Sequence, residues 1–311
     1  MHTPGIHHIT GITGDPQKNI DFYSGVLGLR FVKLTVNFDD PRAYHLYFGN
    51  ESGEPGTALT FFAWPGVGKG VTGTREITAI AFAVPPASLT FWKKYLAEKK
   101  VPFEERERFG VAYLSLSDPD GLELELVPED PPSRIIPWTS PQMPEEYAIR
   151  GFHAVTLTED GSEKTRSFLT ERFGYVPDIA SDSLFRYAAP GDSHARYLLV
   201  RVAPNLPTGT MGAGTLHHVA FRAKSDADEL KIREEMLGIG MDATPVIDRM
   251  YFHSVYFREP GGILFEIATD QPGFTIDEPL ASLGTSLRLP PQYEPHREEI
   301  VRLLPPLKLP S

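Results

Sequence analysis

The sequence predicts an α+β fold built from four copies of a β-α-β-β-β module. Three observations carry this. Short apolar strands recur at residues 5–10, 77–82, 151–156 and 216–221. Each is followed by a polar turn and a helix-like stretch, then by strand-rich sequence with turn signals. The second and fourth copies also end alike, on Asp118-Pro119-Asp120-Gly121 and Glu259-Pro260-Gly261-Gly262. An acid-Pro-x-Gly turn suits a hairpin, because Pro presets φ and Gly accepts φ > 0.

The elements follow in order. Asp15 is a plausible N-cap with Pro16 at the first helical position, so a helix is expected over 15–23. The later helices are expected over 87–99, 163–173 and 226–237. Module boundaries fall near 67–75, 131–150 and 204–214. The chain thus divides into an N-terminal half (1–130), a proline-rich linker (131–149), a C-terminal half (150–270) and a tail (271–311). The tail carries one short helical stretch, 294–304. It is expected to wrap a neighbouring surface or subunit, which would make a homo-oligomer.

Composition narrows the function classes. Of 311 residues, 41% are hydrophobic, enough for one large or two medium cores. The net charge of -11 is interspersed, with no basic patch mixed with aromatics, so nucleic acid is not an expected partner. Cysteine is absent, which excludes disulfides, thiolate metal sites and a cysteine nucleophile. No signal pattern opens the chain and no apolar run approaches the length of a membrane span. A cytoplasmic protein without a membrane partner is expected.

The chemistry-bearing residues stand at the strand ends of the repeat. His8 and His218 open the first and fourth modules, each preceded by another histidine, His7 and His217. Glu266 and Glu125 close the fourth and second. A histidine and a glutamate facing the inside of one curled sheet make half of a metal site.

This arrangement resembles the vicinal oxygen chelate superfamily, in which such modules pair into metal-holding barrels. The resemblance covers residues 5 to about 270. It implies ligands from the first and last strands of each paired module. The first-strand position reads His8, Ala79, Ala154 and His218 in the four modules, and the last strands of modules one and three, 57–64 and 195–202, offer no carboxylate or histidine. Pairing module one with module four would therefore give His8, His218 and Glu266, while modules two and three would hold only Glu125, read as structural. Two histidines and one carboxylate with open positions are the ligand set of non-haem Fe(II) oxygenases.

Within the superfamily the chain is similar to the hydroquinone-type ring-cleaving dioxygenases. The match lies in Ile6-His7-His8-Ile9-Thr10, Phe31-Val32-Lys33, Tyr44-His45-Leu46-Tyr47-Phe48, Gly53-Glu54-Pro55-Gly56-Thr57, Arg150-Gly151-Phe152-His153 and Pro260 to Glu266, with the tail's Gly273-Phe274-Thr275 and Ser282-Leu283-Gly284. The resemblance implies an extradiol-type dioxygenase using Fe(II), with Mn(II) as the other fitting ion, and O2 to open an aromatic diol such as hydroquinone. It also places His7, Thr10, His217, Arg249 and Tyr256 around the substrate or behind the ligands. Strand alternation would aim His7 and His217 away from the ion unless the strand twists. His45, His153 and His253 are read as structural. The competing readings are a glyoxalase-like isomerase or thiol transferase, which needs a fourth protein ligand, and a non-catalytic binder, which needs no metal.

Overall fold

A computed structural model describes residues 2–130, 135–191 and 194–310. The start of the proline-rich linker, 131–134, lies outside them. The first module comprises β1 (Ile6–Thr13), α1 (Pro16–Tyr23), β2 (Arg30–Val36), β3 (Tyr44–Gly49) and β4 (Ala58–Ala63). The second comprises β5 (Glu76–Val84), α2 (Leu89–Glu98), β6 (Phe103–Arg108), β7 (Val111–Ser117) and β8 (Glu123–Pro128). The third comprises β9 (Phe152–Glu159), α3 (Glu163–Glu171), β10 (Val176–Ser181), β11 (Leu184–Ala188) and β12 (Tyr197–Val202). The fourth comprises β13 (Leu216–Ala223), α4 (Asp226–Gly238), β14 (Ile247–Asp248), β15 (Phe252–Arg258) and β16 (Leu264–Pro272). The expected cap at Asp15 forms, its carboxylate accepting from the backbone of Gln17 and Lys18.

The strands make two curled eight-stranded sheets. One runs β14-β15-β16-β13-β1-β4-β3-β2 and the other β10-β11-β12-β9-β5-β8-β7-β6. Module one thus pairs with module four, and module two with module three. The seams are antiparallel, β1 on β13 and β5 on β9. All eight residues of β1 are buried, as a strand paired on both edges and covered on both faces must be.

The two sheets are tied by the repeated turns. The turn after β7 docks on module one, where Tyr23 donates to Asp118 at 3.1 Å and Thr13 to Asp120 at 2.6 Å. The turn after β15 docks on module three through Glu259 and Thr165. One hydrophobic cluster spans the interior, from Ile6 and Tyr23 to Trp92, Phe173 and Phe265.

The tail wraps module one of its own chain. Buried Lys33 holds Asp277 at 2.5 Å and also pairs with Glu278. The Tyr44 hydroxyl donates to the Pro305 carbonyl, and Tyr293 to that of Phe38. The expected helical stretch forms as a 3-10 turn leading into α5 (Arg297–Leu303).

At the module three–four contact, Thr165 Oγ1 lies 3.1 Å from Glu159 and 2.8 Å from Glu259. One hydroxyl hydrogen serves only one of these acceptors, so the second contact requires a carboxyl proton. Burial and the neighbouring Glu259 push Glu159 up to about 8. The folded state then holds a proton that the unfolded chain releases near the ordinary value of 4.5. Stability is therefore expected to fall as pH rises from about 4.5 towards 8. In Glu159→Gln, urea unfolding at pH 5, 7 and 8.5 should show a flatter slope, and an unchanged slope would count against the shared proton.

Candidate active site

The β1–β13 seam brings together groups 210 residues apart. His8 faces Ala220 across the seam, and Ala220 faces Glu266 on β16. The small Ala220 separates the two larger side chains along one row. His8 Nε2 lies 3.3 Å from His218 Nε2 and 3.3 Å from Glu266 Oε2, and His218 Nε2 lies 2.8 Å from the same oxygen. Two ligands each about 2.0–2.2 Å from one ion, at a right angle, stand about 3 Å apart. The separations match that arrangement. The three groups form a buried cluster that could hold a metal ion, and no further His, Asp or Glu joins it among the described residues.

The donor set also fits a cation chemically. Glu266 Oε2 is buried and has no hydrogen-bond partner, although both imidazoles are near. Three potential ligand atoms thus converge on one point. Burial alone would raise the Glu266 acid, but the His8 and His218 positions hold it well below the ordinary carboxylate range. Burial also lowers His218, leaving its imidazole neutral. A buried carboxylate facing two imidazole nitrogens is an arrangement that a bound cation would satisfy.

Both histidine pairs share one geometry. The seam register steps from Ile6 to His8 and from Thr10 to Gly11 opposite His218 and Leu216, so His7 and His217 are each the extra residue of a β-bulge. The bulge turns them toward their neighbours rather than away. His7 Nδ1 lies 2.9 Å from His8 Nδ1, and His217 Nδ1 lies 2.8 Å from His218 Nδ1. His7 Nε2 donates at 3.1 Å to the Thr269 carbonyl, which can only accept. Burial and the neighbouring His8 keep His7 neutral, so its Nδ1 accepts from His8 Nδ1–H. That leaves His8 Nε2 as a bare lone pair aimed inward. His217, held down to about 3 by burial and His218, sets its Nδ1 against His218 Nδ1 in the same pairing.

Thr60 occupies the place where a fourth ligand would be needed. Thr10 faces Thr60 as Ala220 faces Glu266, so Thr60 is the repeat counterpart of Glu266. Its hydroxyl bonds Thr10 at 2.8 Å and His45 at 2.9 Å, and His45 in turn meets Tyr47 at 2.9 Å. His45, read as structural from sequence, therefore lines the pocket. In the second sheet the same positions read Ala79, Ala154 and Glu125. Glu125 is held by both arms of Arg108, at 2.9 and 2.6 Å.

The rim comes from both modules. Tyr256 faces Glu266 across the β15–β16 ladder, its ring 5.6 Å from that of His218. Burial and the Glu266 charge raise its phenol above the ordinary range. Arg249 lies beside that ring and grips Asp39 of module one at 3.2 and 3.0 Å. Phe252 packs on His8 with 4.8 Å between ring centroids. Ser254 donates to Glu266 Oε1 at 2.5 Å. Sequence reasoning missed Ser254, and only the hairpin register identifies it. The enclosed space is small, about 30 Å³. A cleft of about 390 Å³ lies on the far side of His217, but it converges no comparable donor set.

Comparison with known proteins agrees with this fold. The profile of the glyoxalase/bleomycin resistance protein/dioxygenase superfamily matches residues 5–126 and 151–267. MhqO of Bacillus subtilis (strain 168), named as a candidate ring-cleaving dioxygenase, is 46% identical over 307 residues, 99% of this chain and 97% of its own. A chlorohydroquinone/hydroquinone 1,2-dioxygenase of Sphingobium indicum is 38% identical over 96% of this chain and 95% of its own. A crystal structure of a candidate dioxygenase from Bacillus subtilis superposes with a TM-score of 0.96 at 45% identity, covering 100% of this chain and 99% of that one.

Because Ser254 fixes the carboxylate that faces both imidazoles, Ser254→Ala should weaken divalent-metal binding by about 10–100-fold. Competition with a chromogenic chelator measures this, and wild-type affinity in the variant would show that the hydroxyl does not orient Glu266.

Proposed function

The chain belongs to the glyoxalase/bleomycin resistance protein/dioxygenase superfamily, and from that membership and the site geometry we propose that it is a ring-cleaving dioxygenase. In this reading His8, His218 and Glu266 hold Fe(II) or Mn(II), and the enzyme opens a 1,4-dihydroxylated aromatic with O2. The observation that carries the reading is Thr60 in the repeat position of a fourth carboxylate. Three ligands on one face leave room for a substrate hydroxyl and for O2, whereas a fourth would suit Lewis-acid isomerisation. When bound, such an ion lowers the pKa of a coordinated hydroxyl and relays electrons between ring and oxygen.

The protein's own groups supply the rest. His7 fixes the tautomer that points the His8 lone pair inward, and His217 stands against His218 in the same pairing. Tyr256 keeps its proton at neutral pH, so its hydroxyl is a donor for a substrate oxygen. Arg249 places a positive charge beside the same ring and favours the phenolate form of the substrate. Thr10 sits on the inner face between His218 and Thr60. Phe252 offers an apolar wall to an aromatic ring. The Arg249–Asp39 contact links the two modules at the pocket lining.

A hydroquinone substrate is supported by the Sphingobium relative, whose name specifies hydroquinones and 1,2 cleavage. A 1,4-diol has no adjacent hydroxyls. A cut at its 1,2 bond runs between a hydroxylated carbon and an unhydroxylated neighbour, the extradiol outcome.

Anaerobic metal analysis, followed by oxygen uptake with hydroquinone and catechol side by side, tests the proposal. Reconstitution with Fe(II) or Mn(II) should give uptake with hydroquinone, and His8→Ala should lose the Fe(II) or Mn(II) equivalent of this site together with the uptake, its circular dichroism unchanged. Full uptake in His8→Ala would overturn the ligand assignment. Tyr256→Phe should lower kcat by about 10²–10⁴-fold while metal content stays constant. A wild-type kcat would remove Tyr256 from the chemistry.

A further inference from the structure

The core-facing stripe of α4 consists of Glu229, Ile232 and Met236. Two of these are apolar, as spacing on a packed helix face requires. The first is a glutamate, fully buried, and neither of its carboxylate oxygens has a hydrogen-bond partner. A bare buried carboxylate is among the costliest arrangements a fold can hold. The surroundings of Glu229 suggest what relieves it.

Asp226 stands one turn earlier on α4, and His253 projects from the adjacent β15. His253 Nδ1 lies 2.9 Å from Asp226 Oδ1. The ligand-type atoms of Asp226, Glu229 and His253 all lie within 4.8 Å of one another. We propose that these three side chains form a second divalent-cation site, suited to Zn(II), on the face of β15 opposite the candidate active site.

The donor set fits that ion. One imidazole and two carboxylates are borderline and hard donors, the mixture zinc accepts. The imidazole–carboxylate separation equals that of two neighbouring ligands on one ion, about 3 Å. The side chains of Asp226 and His253 are 69% and 36% exposed, so the ion enters from solvent and water completes its shell. Strand alternation explains the placement: Phe252 and Ser254 face the cluster of His8 and Glu266, and His253 between them faces α4. An ion there would brace α4 against the strand that orients Glu266.

The test titrates chelator-stripped protein with Zn(II) alone, counting bound zinc by equilibrium dialysis and mass spectrometry. The wild type should take up two equivalents. Glu229→Gln and His253→Ala should each lose one, His8→Ala should lose the other, and the Glu229→Gln/His8→Ala double variant should lose both. Asp226→Asn, at an exposed position that leaves the core intact, should weaken the Glu229-dependent equivalent by at least about tenfold. If the His8 cluster took no zinc, the wild-type count would be one and Glu229→Gln would still abolish it. Zinc uptake in Asp226→Asn and His253→Ala equal to that of the wild type in number and affinity would overturn the proposal.

Discussion

The antiparallel seam between β1 and β13 is the constraint on which the rest depends. No local feature of the chain brings residue 8 near residue 218. Five paired positions of each strand do so, and their ladder sets Thr10 opposite His218 and His8 opposite Ala220. A one-residue slip would send every side chain of β1 to the other face and scatter the cluster. Two bulges pin the register. Each spends its extra residue on a histidine, and each of those histidines bonds the next one along the chain. The feature that fixes the alignment therefore also orients the imidazoles.

The repeat explains why one sheet carries chemistry and the other does not. Both sheets offer the same four inward positions. In the first they hold His8, His218, Glu266 and Thr60. In the second they hold Ala79, Ala154, Glu125 and, opposite Thr156, Leu199. With two alanines and a leucine no ion can be gripped, and the remaining carboxylate is neutralised by the Arg108 guanidinium instead. The second sheet retains the scaffold role: its turns and helices pack against the first and bury a shared core.

Much of this was legible in the chain. The four modules, the helix cap at Asp15, the pairing of modules one and four and the three converging residues all follow from repeat position and ligand type. What was not legible depends on register or on surfaces between elements. Ser254 is an unremarked serine until the β15–β16 ladder sets it beside Glu266. His45 reads as an ordinary strand histidine until Thr60 links it to Thr10. Alternation alone aimed His7 and His217 outward, because a bulge leaves no mark in composition. The tail's path over module one rests on Lys33 meeting Asp277 and Glu278, 244 and 245 residues away, a pairing no local pattern announces.

The buried acids give the last step. Glu125 is held by Arg108, and Glu278 by Lys33. Glu159 and Glu259 meet at Thr165, and burial raises both acids. Each of these carboxylates has its charge matched by a side chain or removed by protonation, as burial demands. Glu266 and Glu229 differ. Glu266 has one oxygen bonded to Ser254 and the other facing two imidazole nitrogens, and Glu229 has neither oxygen bonded. Neither of these two acids meets a lysine or arginine among the described residues, and each has a histidine within ligand distance, which is the arrangement on which both proposed metal sites rest.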